Sequence, residues 1–535
     1  MKNSFLKISP LKKVVLFLMT FSVFTVTTKG QDRVTVTEGT SLVVGSEASF
    51  TNADIVLKST SNSYSNLILD GSLGTSSADV HYDRYVNAIG SGTSGGNDLV
   101  ALPVFDTGFD FVTLLTFGDN QNVIANNPSD VSVFAFGPYD NDLRAYINYD
   151  SDNVDLLEEG KGYRAATELA SDHIIRFSGK VRSTDVANVS ITTSSMSNSR
   201  WNLVGNPYPS YIKAQEFLIE NTDADPALST LDPSAAAIYG YTDGTFSGPG
   251  QINNFIIINN MLNTDVNIAP GQGFFVSDNP ANSNTLAFTT AMRSISGTDD
   301  FILGRPNGEN YRLRLLASDN TNSYPTEFYF NADGSLGLDI GYDAAIYSGS
   351  ASNFELYSNL VENNAGRKIA VQALSDNDMT NVIIPLGLKA SQGEQVVFSI
   401  EDSSLPEATQ VYLEDNVFNT FTLLNNEDYT FVPSEAIDGT GRFFLHFGNI
   451  TLGVENQVVT SLQLFSVDQT IYVEGQLLED STLSVFDIQG RLVLSDTLAA
   501  GRNTHQIDAS RLASNVYIVK LSNYQQEKTE KLIIK

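Results

Sequence analysis

The sequence contains no cysteine among its 535 residues, and this absence excludes two kinds of structure. Without a thiol the chain forms no disulfide and carries no lipid anchor on cysteine. With no cysteine and only four histidines, the nitrogen and sulfur side chains that commonly ligate zinc are scarce. The folded chain must therefore be held together by apolar cores, for which 31 Phe and 22 Tyr provide ample material.

Basic residues are also scarce. Lys and Arg number 31 against 62 Asp and Glu, which gives a formal net charge of −31. A surface of this sign repels phosphate backbones and anionic membranes. No basic stripe with interleaved aromatic residues compensates for the charge, so we expect no nucleic-acid partner.

Long hydrophobic runs are nearly absent as well. The run Val14–Val26 follows four lysines and precedes Thr28-Lys29-Gly30. This order of basic, apolar and small residues is typical of a signal peptide, to which we assign residues 1–30. The run is shorter than the ~20 residues that a permanent membrane helix needs. We therefore predict no transmembrane segment in the mature chain.

Short apolar runs separated by Gly, Asn and Asp dominate the rest of the chain and predict strands almost throughout. A chain of this length needs several cores. We predict an all-β, multi-domain fold of β-sandwich (Ig-like) modules, with a short N-terminal β-solenoid or meander and a C-terminal Ig-like domain. The expected divisions are a signal peptide at 1–30, a short-strand β region at 31–96, a duplicated β-sandwich region at 97–295, a β-sandwich domain at 296–450 and a C-terminal domain at 451–535.

Two short motifs recur within the duplicated region. Leu99–Pro103 (LVALP) resembles Leu203–Pro207 (LVGNP), and Gly160–Tyr163 (GKGY) resembles Gly271–Phe274 (GQGF). The two offsets nearly agree, which predicts two related β units. One short helix is expected at Lys213–Ile219.

The following domain contains a clear alternating pattern. In Tyr311–Leu315 every second residue is apolar, with an arginine at each position between them. A period of two predicts a strand with Tyr311, Leu313 and Leu315 inward and both arginines outward.

Motifs for catalysis and metal binding are incomplete. Gly92–Gly96 matches the Gly-x-Ser-x-Gly pattern, but no helix pattern follows Ser94 as a nucleophile elbow requires. Asp150–Asp155 begins like a calcium loop but lacks its glycine and distal glutamate. We predict no catalytic, cofactor or metal residues. Structural calcium at this acidic turn, and a hydrolase built on two distant carboxylates, remain the alternatives.

The C-terminal segment from about Glu455 carries the most specific pattern. Asp487-Ile488-Gln489-Gly490-Arg491 lies between two apolar runs, and its glycine predicts a hairpin turn. Val516–Leu521 alternates with a period of two, as in a half-buried strand. Asp508–Asn515 is short and polar, which predicts a turn. Together these elements predict a small β-sandwich.

With Ile507–Leu512 and the terminal Lys531–Lys535, this segment resembles the type A C-terminal sorting domain of the type IX secretion system of Bacteroidetes. The resemblance implies a substrate whose partners are the type IX translocon and sorting machinery. It implies export through the periplasm, removal of the tail near Phe447–Gln457, and attachment of the remainder to lipopolysaccharide. The sorting-signal residues that it implies are Asp487, Gln489, Gly490, Arg491, Leu512, Tyr517, Lys520, Lys531 and Lys535.

The inner segments Trp201–Pro209, Gly271–Val276 and Val411–Asp415 resemble the large adhesin-like exoproteins that share this tail. That group has no common chemistry. We therefore expect a secreted or cell-surface, non-catalytic, adhesin-like protein that binds a glycan or another surface ligand. The alternative is a carbohydrate-binding or polysaccharide-degrading exoprotein with Trp201, Tyr208 and Tyr211 as a sugar platform. A competing interpretation makes Trp201 a core anchor.

Overall fold

A computed structural model shows about 50% strand and 7% helix, which confirms the all-β prediction. The predicted signal peptide at 1–30 and the Ser94 motif lie outside the described residues. The residues that the structure describes are 33–47, 54–71, 80–90, 96–242, 251–252, 255–260, 266–282, 285–297, 311–348, 352–448, 462–467, 469–475, 477, 479–502, 504–523 and 527–535. Among them, no helix combines the length and the apolar character needed to cross a bilayer.

The chain divides into two compact units. Unit 1 comprises Met1–Asn307 with Tyr347–Ser350, and unit 2 comprises Gly308–Ile346 with Ala351–Lys535. The expected boundaries at 96, 295 and 450 are finer than this division and stay predictions.

The strands of unit 1 are short and their sheets are small. They are β1 (Arg33–Val36), β2 (Ser41–Val44), β3 (Asp54–Thr60), β4 (Ser63–Tyr64), β5 (Asn66–Leu69), β6 (Val80–Tyr85), β7 (Asp98–Val100), β8 (Asn126–Asn127), β9 (Asp130–Phe134), β10 (Phe136–Asp140), β11 (Ala145–Tyr146), β12 (Tyr163–Ala165), β13 (Ile174–Gly179), β14 (Val186–Ser190), β15 (Trp201–Gly205), β16 (Tyr211–Lys213), β17 (Ile238–Tyr241), β18 (Gln251–Ile252), β19 (Phe255–Ile258), β20 (Asn267–Ile268), β21 (Gly273–Ser277), β22 (Thr285–Phe288) and β23 (Arg293–Ser294). The helices are α1 (Phe111–Leu115), α2 (Asn120–Val123) and α3 (Ala214–Asn221), with 3₁₀ turns at Pro233–Ala235 and Thr290–Met292. Helix α3 overlaps the predicted helix.

Unit 1 begins with stacked parallel strands. β1 pairs with β3 and β3 with β6, both in parallel, and β2 pairs in parallel with β5. Parallel pairing of successive short strands is the arrangement of a solenoid, in which each turn buries the apolar side of the next. Val36, Leu57 and Tyr82 contribute to this core.

The recurring motifs of the duplicated region occupy equivalent places in two sheets. β7 pairs antiparallel with β12, with Leu99 opposite Arg164. β15 pairs antiparallel with β21, with Leu203 opposite Phe275. In each sheet, the strand that contains the Leu-Val pair therefore pairs with the strand that begins within the Gly-x-Gly-aromatic motif of the same repeat.

Each Gly-x-Gly segment also contacts the other repeat. The Gly205 N–H donates to the Gly160 carbonyl at 2.9 Å, and the Ala101 N–H donates to the Gly271 carbonyl at 2.8 Å. A Cβ added at Gly205 would lie 2.5 Å from the Ala101 Cβ. Glycine fits there because an added Cβ would clash with the Ala101 side chain of the other repeat and with the Gln272 carbonyl oxygen, 2.6 Å away.

Unit 2 contains longer strands. They are β24 (Tyr311–Ser318), β25 (Ser323–Asn331), β26 (Ala344–Ala345), β27 (Glu355–Ser358), β28 (Ile369–Ser375), β29 (Val382–Ala390), β30 (Val396–Ser403), β31 (Val411–Asp415), β32 (Thr420–Leu423), β33 (Tyr429–Phe431), β34 (Ile437–Phe447), β35 (Gln463–Val467), β36 (Thr470–Glu474), β37 (Ser481–Phe486), β38 (Leu492–Leu498), β39 (Thr504–Asp508), β40 (Asn515–Ser522) and β41 (Glu527–Ile534). A 3₁₀ turn spans Asp376–Thr380. The first eleven strands form one sheet in the order β32-β31-β34-β29-β27-β28-β25-β24-β30-β33, with β26 paired to β28, so β33 is a terminal strand.

The predicted orientation of Tyr311–Leu315 is wrong at two positions. Leu313 and Leu315 are fully buried as expected, but Tyr311 is 37% exposed and Arg314 is only 8% exposed. Three consecutive buried residues mean that both faces of β24 are covered at this point. Arg314 remains charged there because it pairs with buried Glu327 on β25, and with Glu401 on β30 at 2.5 Å from its Nε.

The last strands form a separate two-sheet sandwich, here called the tail domain (residues 462–535). One sheet has the order β35-β36-β39 and the other β38-β37-β40-β41. Leu483, Val485 and Val519 of the larger sheet share a core with Ile471 and Val473 of the smaller one. The predicted small sandwich, with a strand at 516–521 and a turn between β39 and β40, is confirmed.

Candidate functional site

Asp487 organises the hairpin between β37 and β38. Its Oδ1 accepts the backbone N–H groups of Gln489 at 2.9 Å and Arg491 at 3.0 Å, and its Oδ2 accepts Arg491 Nε at 2.7 Å. Gly490, at φ +77°, donates its N–H to the Asp487 carbonyl at 2.9 Å. These bonds lower the pKa of Asp487, and the bond from the Arg491 N–H has the largest effect. The residues of the Asp-x-Gln-Gly-Arg motif are therefore the ones that form this turn.

Two further predicted signal residues belong to the core of the tail domain. Tyr517 is buried, and its hydroxyl donates to the Ala513 carbonyl at 2.8 Å. Leu512 packs against the same core. Both residues therefore help to build the tail domain.

The remaining predicted signal residues are lysines. Lys531 and Lys535 are exposed and Lys520 is half-buried, and Arg491 of the hairpin is exposed as well. On the larger sheet Lys531 lies opposite Ile518. The nine predicted residues thus separate into a group that shapes the domain and a group that presents charge. Their role in sorting stays a prediction.

Within unit 2 the tail domain contacts the end of the large sheet. Glu474 is 1% exposed and accepts the Val432 N–H. Thr504, the register partner of Glu474, donates its hydroxyl to the Thr430 carbonyl at 3.2 Å. Thr430 lies in terminal strand β33 and Val432 follows it. Two side chains of the tail domain therefore cap backbone groups at a sheet edge.

The contact places an ionisable group out of reach of water. Burial raises the pKa of Glu474 to about 8; the Val432 N–H and the Arg442 charge oppose this rise, and Asp415 adds to it. Arg442 is itself held by Asp415 at 2.7 Å and lies over the Phe431 ring at 4.3 Å. Glu474 was not predicted from the sequence, where its one signal is that it directly follows the apolar run Ile471–Val473.

Unit 1 carries a groove of about 1070 Å³, walled mainly by β10, the loop that precedes β12, and β14. A register shift between Val186 and Val189 places Ala187 and Asn188 in its wall. The groove could not be predicted from the sequence, because its wall combines segments that are distant along the chain. The ionisable side chains in the described lining, Tyr139 and Tyr149 apart, are Asp140, Asp142, Asp155, Glu158, Glu159 and Lys161.

Several of the groove carboxylates have fixed partners. Glu159 accepts the Arg182 Nε at 2.7 Å, and Glu158 accepts the Lys161 Nζ at 2.9 Å. Asp142 accepts a hydrogen bond from the Ser194 hydroxyl. The wall is therefore a preorganised polar surface.

Amide and hydroxyl groups line the same groove. Asn202 Nδ2 donates to the Thr192 carbonyl at 2.9 Å, and Asn141 Nδ2 donates to the same carbonyl at 2.8 Å. Tyr149, which also lines the groove, is buried, and its burial near Asp155 and Glu158 raises the pKa of its hydroxyl to about 12. The lining thus combines acidic, amide and hydroxyl groups.

The predicted sugar platform is wrong for all three of its aromatic residues. Trp201, Tyr208 and Tyr211 are 3%, 0% and 1% exposed. Trp201 Nε1 donates to Ser348 Oγ at 3.0 Å, and its ring packs on Tyr347 at 4.8 Å. These rings fill cores of unit 1, so the interpretation of Trp201 as a core anchor is confirmed.

The acidic turn Asp150–Asp155 is partly closed by its own side chains. Asn153 Nδ2 donates to Asp155 Oδ2 at 3.1 Å, and the Asp155 N–H donates to Asn153 Oδ1 at 3.0 Å. Across the described part of the chain, no three His, Asp or Glu side chains are grouped as metal ligands would be. The expectation on structural calcium stays a prediction.

Comparison with known families gives two matches. The family described as "Secretion system C-terminal sorting domain" matches residues 467–535. The family described as "Domain of unknown function (DUF8693)" matches residues 109–447, more than half of the chain. No curated protein matches. A solved structure titled "Biofilm associated protein - BSP domain" aligns with 66% of this chain and 96% of its own, at 8% identity and a TM-score of 0.15, too low to carry an argument.

The sorting-domain match confirms what the tail resemblance implied. The chain is a type IX secretion substrate with a type A sorting tail. It is exported through the periplasm to the cell surface or the extracellular space. The longer of the two family matches covers residues 109–447, which precede this tail. The chain therefore belongs to the family described as "Domain of unknown function (DUF8693)".

Proposed function

We propose that the exported chain is a non-catalytic, adhesin-like binding protein whose ligand lies in the groove of unit 1. The observation that carries the proposal is the groove itself. Its volume of about 1070 Å³ is just above the roughly 300–1,000 Å³ typical of ligand sites. A cleft of this size suits an extended ligand, such as a segment of a polymer.

The charge of the groove restricts the ligand. Its described lining has five carboxylates and one lysine, in a chain where acidic residues outnumber basic ones by two to one. Clefts of one sign concentrate ligands of the opposite sign and repel those of the same sign. The ligand is therefore uncharged or cationic, and a polyanion is a poor fit.

Two of the five groove carboxylates are paired with cations, which supports binding rather than catalysis at those positions. A general acid or base must exchange a proton with the substrate. Glu159 and Glu158 are instead paired with Arg182 and Lys161. Such pairs orient polar groups and suit them to accept hydrogen bonds from a ligand.

Among uncharged ligands, a glycan is the candidate. The groove presents amides and hydroxyls beside its carboxylates, a mixture that can donate to and accept from sugar hydroxyls. The residues concerned are Asn141, Asn188, Ser190, Thr192 and Asn202. A polysaccharide-degrading activity would in addition require two of the groove carboxylates to act on a glycosidic bond.

The test measures retention of the purified full chain on neutral polysaccharides, on a basic matrix protein and on live cells. Ala187→Arg places a cation and added bulk in the groove wall. Ala224→Arg makes the same change at an exposed position of unit 1 outside the groove lining. We expect Ala187→Arg to weaken retention about tenfold or more and Ala224→Arg to leave it unchanged. Equal retention of both variants, or no retention on any surface, would refute the proposal; release of soluble sugars would favour a hydrolase.

Attachment to the cell surface through lipopolysaccharide after tail removal is a further part of this proposal. The expected cleavage range, Phe447–Gln457, begins at the end of β34, and from residue 449 it lies outside the described residues. Mass spectrometry of the surface form should find a new C-terminus in this range with added mass. A surface form that keeps residues 462–535 would contradict it.

A further inference from the structure

The larger sheet of the tail domain has an outer face that turns away from the sandwich core. One row of side chains crosses three strands of this face. The residues of the row, in strand order, are Phe486, Ile518 and Lys531; Leu492 of β38 pairs with Phe486 at a register irregularity. In the next row Val516 lies beside Ile533. Because side chains alternate along each strand, these residues share one side of the sheet.

This face is more apolar than the solvent-facing side of an antiparallel sheet normally is. Ile518 is 37% exposed and Ile533 58%. Ile488, in the adjacent hairpin, is 70% exposed. Neighbouring exposed apolar residues on a soluble domain mark an interaction surface.

The charge on the face is opposite to that of the chain. The charged residues at the outward register positions of its strands are Lys520, Lys531 and, opposite Ser522 at the start of β41, Glu527, so basic residues outnumber acidic ones on this face. Over residues 467–535 seven Lys and Arg face nine Asp and Glu, whereas acidic residues are in twofold excess over the whole chain. An acidic partner would therefore be attracted to this face and repelled by the rest of the molecule.

We propose that this outer face is the surface through which the tail domain binds a protein subunit of the export machinery, one that presents apolar side chains flanked by carboxylates. The inference rests on the sorting role of the tail and adds the surface that carries it. A flat four-stranded face suits a sheet or helix of a partner protein, because such faces pack at about 10 Å over a broad area.

Charge argues against two other occupants. A second copy bound symmetrically would set the same lysine-bearing surface against itself, because a two-fold interface uses the same patch on both copies. An anionic lipid surface gains only about 1 kcal/mol per nearby basic residue, and two lysines work against a net charge of −31. A protein partner with a matching acidic rim meets neither difficulty.

The experiment follows the full chain, with its leader, in a host that has a type IX system. One variant removes the apolar rows (Ile518→Ser with Ile533→Ser) and a second reverses the charge (Lys520→Glu with Lys531→Glu). Ile383→Ser is the matched control, since Ile383 is 49% exposed on strand β29 of unit 2. A chain without residues 462–535 reports on the sorting role itself. The readout is the exported fraction of folded, protease-resistant chain.

We expect the exported fraction to fall about tenfold in each double variant, as when central contacts of an interface are removed, and to stay unchanged in the control. Normal export of the charge-reversal variant and of a folded apolar variant, beside blocked export of the tail-less chain, would refute the surface and leave the sorting role intact. The proposal would also be overturned if the purified chain self-associated, or was retained on anionic vesicles, and both double variants lost that behaviour.

Discussion

Glu474 is an ionisable side chain that the contact between the tail domain and β33 removes from water. Its pKa in the folded chain is raised to about 8, against an ordinary value near ~4.3. The folded state therefore favours the protonated acid. The contribution of this group to stability is complete below its ordinary pKa and is lost as the pH rises through the folded value.

We predict that unit 2 loses stability between about pH 5 and about pH 9, with a slope from this one group of up to ~1.4 kcal/mol per pH unit. Glu474→Gln keeps an oxygen that accepts the Val432 N–H and removes the titration. Urea unfolding of the wild type and the variant at both pH values measures the difference. Arg442, Asp415 and Tyr429, which face Glu474, are common to both proteins. Equal pH dependence of the two would contradict the prediction.

The buried pair of Arg314 with Glu327 allows a second prediction at this scale. Arg314→Met leaves Glu327, which is 0% exposed, without its cation and should cost about 3–5 kcal/mol of unfolding free energy. Lys161→Met breaks an exposed ion pair with Glu158 and should cost less than about 1 kcal/mol. Chemical unfolding measures both. A loss for Arg314→Met no larger than that for Lys161→Met would contradict the account.

Single residues also show where prediction from sequence ends. Alternation correctly predicted Leu313 and Leu315 as buried, because a period of two is a local property of a strand. It placed Arg314 outward because the covering of the opposite face comes from other segments. The burial of Trp201 has the same origin, since its ring packs on Tyr347, far away in sequence.

At the scale of elements, local patterns predicted turns and strands well. The Asp487 hairpin, strand β40 and helix α3 all depend on residues within a few positions of each other. The pairing of strands was harder to predict. β1 with β3 and β7 with β12 join distant segments, and only the repeated motifs gave a sign of such pairing in the duplicated region.

The contact between the two repeats depends on Gly205, which gives a prediction at the scale of elements. A methyl group at residue 205 would lie 2.5 Å from the Cβ of Ala101 in the other repeat. Gly205→Ala should therefore cost unit 1 about 1–3 kcal/mol, the usual cost of overpacking. Gly45→Ala is the control, because no atom lies within 4 Å of its added Cβ. Denaturant unfolding compares them, and equal stability of the two variants would show that the repeats do not contact each other as described.

At the scale of the whole molecule, the destination could be predicted from sequence and the ligand could not. The tail is a contiguous segment, so its pattern can be recognised directly in the sequence, and the family match over 467–535 confirms it. The groove is assembled from β10, β14 and the loop between β11 and β12. Its charge follows the excess of acidic residues in the composition, but its shape depends on the folded arrangement of those segments.

The most direct measurement compares where the full chain and a chain ending at Gly448 accumulate in a host with a type IX system. We predict that the full chain reaches the medium or the cell surface, and that the shortened chain stays in the periplasm. Protease resistance of the periplasmic form shows that it is folded, which excludes misfolding as the cause. Export of the folded, shortened chain at the level of the full chain would contradict the account.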